Sequence, residues 1–418
     1  MTTVRDQSVD DPAALRAAMV SELRKDGITS DPVAGAFSAV PRHLFATHEP
    51  LEMVYDANMP LVTKTSPDGK ALSSVSAAHI QAVMLEQAEI TPGMRVLEIG
   101  SGGYNAALIA ELVGPEGSVT SVDIDAEIVG RARACLHAAG YDRVRVVEAD
   151  AEYGVPGHAP YDRIIVTVGA WDLPPAWIDQ LSEHGRIVVP LRFAGLSRCA
   201  AFDRVGSGLV SHSYCLGGFV PMQGEGKFTE TLVPINGEAT LRFDGPDPGF
   251  DVPALRKAMH SPRIERWSGA SFDMPDELEL FVVTNAPLVP LLYASQNLVD
   301  QGLFTPAVIR GAAVLVEGGS FAYRTKRENA DTGGLESGVI AFGTNSEAVA
   351  GRYVELLRRW AANHHRRGAA RIEYIPETAG VGRSFGWHTL KRHGAIAVTW
   401  PQPATDAPSG APEDHNPL

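Results

Sequence analysis

Val96-Leu97-Glu98-Ile99-Gly100-Ser101-Gly102-Gly103-Tyr104 is the stretch that decides how this chain folds. Arg95 to Ile99 has the length and apolar character of a buried strand, and Asn105 to Val113 is an apolar run of helical length. Between them the glycines let the backbone turn sharply and approach a ligand without Cβ clashes. The same alternation continues downstream. Ser118 to Val122 reads as a strand, Ala126 to Ala139 as a helix and Val144 to Glu148 as a strand. Tyr161-Asp162-Arg163 leads into a strand at Ile164 to Val168. Pro175 to Leu181 reads as a helix, and Gly185-Arg186 opens a strand at Ile187 to Pro190. Strands separated by helix-length segments imply βαβ units and a mostly parallel sheet. Ala200 to Val205 and Leu209 to Cys215 read as a closing hairpin, which brings the expected sheet to seven strands.

Upstream, Asp11-Pro12 followed by Leu15, Met19 and Leu23 and ending at Gly27 predicts a helix with an N-cap, a proline at its first position and a glycine stop. Pro32 to Ser38 predicts a second short helix, Pro41 to Ser74 a loop-rich stretch and Ser76 to Gln87 a further helix. Downstream the pattern changes near Gly224-Glu225-Gly226. Short strand-like pieces follow at Thr231 to Pro234, Glu238 to Phe243, Leu278 to Thr284, Ala312 to Glu317, Ser320 to Thr325 and Ser337 to Phe342, with one amphipathic helix over Ser346 to Arg366. The expected organisation is an N-terminal helical segment and substrate loop (1–90), a Rossmann-like α/β core (91–226), a C-terminal α+β accessory domain (227–401) and a disordered tail (402–418) rich in Pro, Ala, Asp and Ser.

Bulk properties narrow the function class. The chain has 418 residues, 44% hydrophobic and 21% charged, as in a globular protein of two domains. No apolar run has membrane-spanning length, and the polar N-terminus lacks a signal pattern. Three scattered cysteines suit neither a disulfide framework nor a zinc site, so a cytoplasmic protein without metal is expected. The net charge of −14 disfavours a general nucleic-acid binder. Against it, Arg352, Arg358, Arg359, Arg366, Arg367 and Arg371 form a basic run; a solvated face and a landing strip for an acidic peptide are the two readings.

The glycine loop carries the chemistry. A nicotinamide-binding loop would read Gly-x-Gly-x-x-Gly, and Asn105 stands at its third glycine. An acid two places before the first glycine, here Glu98, is the habit of S-adenosylmethionine-dependent methyltransferases. The next strand ends at Asp123, placed to accept hydrogen bonds from two ribose hydroxyls. Asp125, its local competitor, reads as exposed or as a helix N-terminus. Asp150 follows the strand at Val144 to Glu148, at the position that meets the adenine amine in such folds. Glu98, Gly100, Ser101, Gly102, Asn105, Asp123, Ile124, Asp150 and Ala151 are therefore the expected cofactor contacts.

In six segments the chain resembles the protein-L-isoaspartate (D-aspartate) O-methyltransferase family. They are Val40 to Phe45, Val75 to His79 (with Ala78 where the family has proline), Val96 to Gly100, Ala159 to Val166, Gly185 to Leu191 and Phe219 to Pro221. Three departures stand out. The glycine loop is one residue short, since Gly102-Gly103-Tyr104 stands where the family has Gly-x-Gly-Tyr. Gly169-Ala170-Trp171 replaces Ala-Ala-Pro, and the chain runs on far past the family's usual end. This layout resembles the branch found with lanthipeptide biosynthesis. The resemblance implies a class I methyltransferase fold, S-adenosyl-L-methionine as cofactor with S-adenosyl-L-homocysteine as product, and methyl esterification of an aspartate in a modified ribosomal peptide. The ester then closes to a succinimide and opens to isoaspartate.

A carboxylate nucleophile is already ionised near neutral pH and needs no general base, so catalysis rests on alignment and exclusion of water. Ser76 aligns with the family's active-site serine and is the expected donor to the substrate carboxylate; a helix N-cap is its structural alternative. Ser74, His79, Val168, Gly169, Trp171 and Arg42 complete the expected substrate contacts. For His79 the alternative is a helix surface, for Trp171 core packing, and for Arg42 an exposed position beside a proline turn. A monomer acting on an acidic peptide, without nucleic acid or membrane, is the leading expectation. Repair of isoaspartate in damaged proteins and a peptide-binding scaffold without catalysis are the alternatives.

Overall fold

The computed structural model of the protein describes residues 11–25, 30–246, 248–273, 277–308, 310–329, 334–377 and 386–401. The expected helix stop at Gly27 and the 402–418 tail lie outside them. Two compact units emerge. The first takes the described residues of Met1–Glu230, Ile372–Ser384 and His388–Ala397, and the second those of Thr231–Arg371, Phe385–Trp387 and Val398–Leu418.

The first unit opens with helices α1 (Pro12–Lys25) and α2 (Asp31–Ala39). Ser30 caps α2 by accepting from the Val33 amide, with Pro32 in the first turn. The stretch expected as loop is structured: a 3-10 turn (Arg42–Phe45), α3 (Leu51–Val54), and an antiparallel hairpin of β1 (Leu61–Thr65) and β2 (Ala71–Val75). Its turn is Ser66-Pro67-Asp68-Gly69, in which Gly69 takes φ +80°. Then come α4 (Ala78–Ala88), β3 (Arg95–Ile99), α5 (Tyr104–Val113), β4 (Ser118–Asp123), α6 (Ala126–Ala138), β5 (Arg145–Glu148), β6 (Tyr161–Val166), α7 (Pro175–Asp179), β7 (Leu181–Phe193), β8 (Leu196–Val205) and β9 (Gly208–Leu216). Every residue of α5 except Glu111 is buried, which explains its uniformly apolar sequence. Asp125 caps α6 by accepting from the Glu127 and Ile128 amides.

The second unit holds β10 (Thr231–Pro234), β11 (Ala239–Phe243), α8 (Val252–Ala258), β12 (Ile264–Phe272), α9 (Leu278–Asn285), β13 (Leu291–Ala294), α10 (Gln296–Asp300), β14 (Arg310–Glu317), β15 (Ser320–Glu328), β16 (Leu335–Phe342) and α11 (Ser346–Asn363). Its strands form one sheet in the order β10-β11-β13-β14-β15-β16-β12, antiparallel at each pairing. The expected strand at Leu278 to Thr284 is the helix α9 instead. All seven of those residues are buried, and a run apolar on every side has no period to separate strand from helix. Between α9 and this sheet, buried Arg324 donates through Nε to Glu279 at 2.8 Å, and the Ala313 amide donates to the other Glu279 oxygen.

The chain then adds β17 (Arg371–Pro376), β18 (Trp387–Leu390) and β19 (Gly394–Thr399) to the sheet of the first unit. The order there is β18-β19-β17-β9-β8-β7-β6-β3-β4-β5. This corrects two expectations. The sheet has ten strands, parallel from β7 to β5 and antiparallel from β7 through β8 and β9 to β17, so it is neither seven-stranded nor mostly parallel. The 227–401 segment also does not form a single domain, because 371–399 pairs with strands far earlier in the chain. Cys199 and Cys215 stand opposite each other across β8 and β9 and form no disulfide.

The basic run is no continuous strip. Helix α11 ends at Asn363, so Arg366, Arg367 and Arg371 lie beyond it. Arg352 pairs with Glu317, Arg358 donates to the Ser268 carbonyl, Arg359 to Asn285 and Arg366 to both oxygens of Asp273. Among the described residues, no helix is long and apolar enough to cross a membrane, and no three His, Cys, Asp or Glu side chains gather as a metal site.

Candidate active site

A cleft at the carboxyl ends of β3, β4 and β5 is lined by Leu72, Ile99, Gly100, Val122, Asp123, Ile124, Asp150, Ala151, Val168, Pro221, Met222 and Gln223. This is where ligands sit in open α/β sheets. The parallel register explains the convergence: Ile99 pairs with Val122 and with Val166, so the loops that follow all three strands leave at one level.

Gly100 has φ +93°, and a Cβ there would lie 2.6 Å from Thr167 Oγ1 and 3.0 Å from Val168 Cγ1. The Thr167 hydroxyl donates toward the carbonyls of Ile99 (3.0 Å) and Gly100 (2.8 Å), which fixes the loop from below. Gly103, at φ +83°, rests on Phe45. Phe45 and Phe37 pack on Tyr104, whose hydroxyl burial pushes up in pKa.

Glu98 is fully buried beneath the loop. Burial pushes its carboxyl up to about 7; the Ser121 hydroxyl and the Asn105 amide pull the other way, and Asp123 adds to the rise. Ser121 donates to one Glu98 oxygen. The other, Oε1, has no hydrogen-bond partner, and neither do Asn105 Nδ2 or Ser101 Oγ. Asn105 thus acts on Glu98 through space without a hydrogen bond of ordinary geometry. Such buried orphan atoms are rare in folded proteins. Three at or beside one glycine loop fit a polar ligand that supplies the missing partners.

At the cleft mouth Asp123 accepts from the amides of Ser101 and Asp125, both at 3.0 Å, and burial raises its carboxyl. Asp150 accepts from the Glu152 amide at 3.0 Å and from the Glu225 amide at 2.9 Å. The expected cofactor residues Gly100, Asp123, Ile124, Asp150 and Ala151 therefore share one cleft, with Glu98, Ser101 and Asn105 buried beside it. Val168 lines it too, and Gly169 joins the Pro221 segment by hydrogen bonds to Val220 and Met222. Sequence reading missed Leu72, Met222, Gln223 and Thr167. The Phe219-Val220-Pro221 match already pointed to the wall in which Met222 and Gln223 lie.

The expected substrate residues sit differently. The carbonyl of Ser74 lies 3.5 Å from where a Gly102 Cβ would be, so the end of β2 rests on the glycine loop. Ser76 is half-buried. It does not cap α4, whose N-cap is Ala77 with no side-chain bond. His79 faces the Ala57 carbonyl from Nδ1 at 3.3 Å. Arg42 is corrected from exposed to fully buried. It donates to the carbonyls of Val54, Met59 and Ser76 and to Gln81, and lies over the Tyr104 ring, so it braces the Ser76 backbone from inside. Trp171 is half-buried, stacked on Phe228 at 3.6 Å between ring centroids, with Lys391 Nζ against its ring.

Comparison with known proteins gives the family. Residues 14–227 match the family model described as Protein-L-isoaspartate(D-aspartate) O-methyltransferase. The chain belongs to that family. A protein-L-isoaspartate O-methyltransferase from Methanococcoides burtonii is 44% identical over 174 residues, 41% of this chain and 82% of the relative. One from Methanopyrus kandleri is 38% identical over 221 residues, 51% of this chain and 94% of the relative. A solved protein-L-isoaspartate O-methyltransferase is 26% identical with a TM-score of 0.48, covering 83% of this chain and 92% of that one. The protein is an S-adenosylmethionine-dependent protein carboxyl O-methyltransferase with the class I fold.

Proposed function

We propose that the protein methylates the free carboxylate of isoaspartyl residues in damaged peptides and proteins. The observation that carries this reading is the approach of the Ser74 carbonyl to within 3.5 Å of where a Gly102 Cβ would be, which sets the Ser74–Ser76 segment beside the glycine loop. The names of the relatives favour repair over the biosynthetic reading taken first from the layout of the chain.

Bound S-adenosylmethionine supplies an electrophilic methyl on sulfur. On it the substrate carboxylate would form the new O–CH3 bond as the S–CH3 bond breaks, with the electron pair left on sulfur. The residues of this chain bind and orient. Asp123 would accept from ribose hydroxyls, Asp150 and Ala151 would meet the adenine, and Ser101 and Asn105, whose side-chain atoms lack partners, would bind the amino-acid end. Ser76 donates its hydroxyl to the acceptor carboxylate, with Arg42 holding its backbone in place. Ser74, His79, Val168, Gly169 and Trp171 bound the peptide side. No base is required, and the two charges neutralise in a site that gains from being dry.

The longer chain and the Ser-Gly-Gly-Tyr-Asn loop favour a second reading, esterification of a chosen aspartate in a modified ribosomal peptide such as a lanthipeptide. Methyl transfer to an isoaspartyl peptide and to a cyclised aspartyl precursor, measured side by side by mass spectrometry, separates the two. Methylation of the isoaspartyl peptide alone supports repair. Methylation of the precursor alone overturns it.

A further inference from the structure

Four residues far beyond the family match, Lys391-Arg392-His393-Gly394, form the turn between β18 and β19 and reach back to the cofactor cleft within the same unit. The turn is closed by the Lys391 amide on the Gly394 carbonyl. A Cβ on Gly394 would meet the Ile375 carbonyl at 2.4 Å, so the turn is packed hard against β17. Each of the other three side chains grips a different part of the cleft's surround. Arg392 donates to the Glu225 carbonyl at 2.6 Å. His393 meets Glu152, a carboxylate buried beside the cleft, at 2.8 Å, while its amide donates to Asp172 at 2.7 Å. Lys391 donates to the Arg192 carbonyl at 2.9 Å and lies on Trp171.

These grips converge on Asp150. Its two oxygens are held by the amides of Glu152 and Glu225, the same two residues that His393 and Arg392 hold from behind. The fit is close, since a Cβ on Gly224 would lie 2.3 Å from Asp150 Oδ2. We propose that the Lys391–Gly394 turn is a positioning element for S-adenosylmethionine, with Arg392 and His393 fixing Asp150 and the Pro221–Gln223 wall through Glu225 and Glu152. This rests on the assignment of the cleft to the cofactor. It gives part of the C-terminal addition a task in cofactor affinity rather than in substrate choice.

The test uses the full chain and calorimetric titration with S-adenosyl-L-homocysteine, beside kinetics in S-adenosylmethionine. Losing hydrogen bonds that hold a charged ligand-facing group weakens binding by roughly tenfold or more. The Arg392→Ala/His393→Ala variant is expected to raise Kd by about tenfold and KM for S-adenosylmethionine in proportion, with kcat at saturation within about twofold. His393→Gln, which keeps a donor for Glu152, and Arg392→Lys should recover most of the affinity, which loss of packing alone would not allow. Arg392 is half-exposed, so Arg392→Ala by itself serves if the double variant does not fold. Asp123→Ala is the control for the cleft. If it loses binding while the turn variants bind within about twofold of the parent, the positioning role is wrong. If Asp123→Ala also binds normally, the cleft assignment fails and takes this inference with it.

Discussion

Glu98 offers a test whose sign and size both follow from its burial. The side chain is fully buried, and its carboxyl is raised from an ordinary 4.5 to about 7. A raised carboxyl pKa means that the folded protein holds a proton that the unfolded chain releases. Below about pH 4.5 both states are protonated and Glu98 contributes its full share. Between the two values the unfolded chain ionises first, and folding is progressively penalised until the folded carboxyl also ionises near 7. At about 1.4 kcal/mol per unit, the loss across that window is on the order of 3 kcal/mol. Glu98→Gln cannot ionise and should lack this slope. With two units in the chain a single unfolding transition is not assured, so the assay is native-state hydrogen exchange of β3 and α5 amides, corrected for intrinsic rates between pH 4.5 and 8. The expected result is that the wild type loses about 3 kcal/mol relative to Glu98→Gln over the window. Any constant cost of the substitution cancels in that difference. Parallel curves would refute the reasoning, since they would mean that Glu98 is ionised in the folded protein throughout and that a counter-charge, rather than burial, governs it.

Four further outcomes are expected. Gly100→Ala places a Cβ 2.6 Å from Thr167 Oγ1 at a φ of +93°, and the strain plus one disturbed hydrogen bond, together about 2–3 kcal/mol, should lower affinity for S-adenosyl-L-homocysteine at least tenfold by calorimetry. Ser76→Ala should cut kcat/KM on an isoaspartyl peptide by roughly 10–100-fold, the worth of one hydrogen bond to a charged group, with homocysteine-product affinity unchanged. Arg42→Met leaves the Val54 and Ser76 carbonyls without their donor, and should cost about 2–4 kcal/mol of stability, seen as a lower melting temperature, along with a fall in kcat as Ser76 drifts. Glu279→Ala removes the carboxylate paired with buried Arg324 and should destabilise the second unit by about 3–5 kcal/mol in urea unfolding.

Much of the site was legible because its parts are local. Glu98, Gly100, Asp123 and Asp150 each sit at a strand end, and strand ends in a βαβ run can be read from periodicity. What was illegible depends on partners far away in sequence. Arg42 reads as a surface arginine beside Pro41, yet it is buried because four acceptors, from Val54 to Gln81, meet its guanidinium. The β1–β2 hairpin reads as loop although Pro67-Asp68-Gly69 is a turn signal, because its strands are short and Thr63, Lys64, Ser73 and Ser74 hide their alternation. The helix α9 reads as a strand because it is buried on every side.

The largest gap, the return of 371–399 to the first sheet, has a physical logic that only the fold reveals. The family match ends at Lys227, just after β9, and without a neighbour β9 would expose a nine-residue strand edge. Long open edges invite pairing with other chains. Here Glu373 and Tyr374 of β17 pair with Val210 and Leu209, and the Ile372 amide donates to Ser211 Oγ at 2.9 Å. The outer edge passes to β18, only four residues long, a length that presents little to pair with. The same return delivers Tyr374 to Asp172 and His393 to Glu152. One segment therefore both covers an edge and grips residues beside the cleft. Selection for either would hold the segment in place, and its long sequence separation from β9 is what kept both roles out of sight in the sequence.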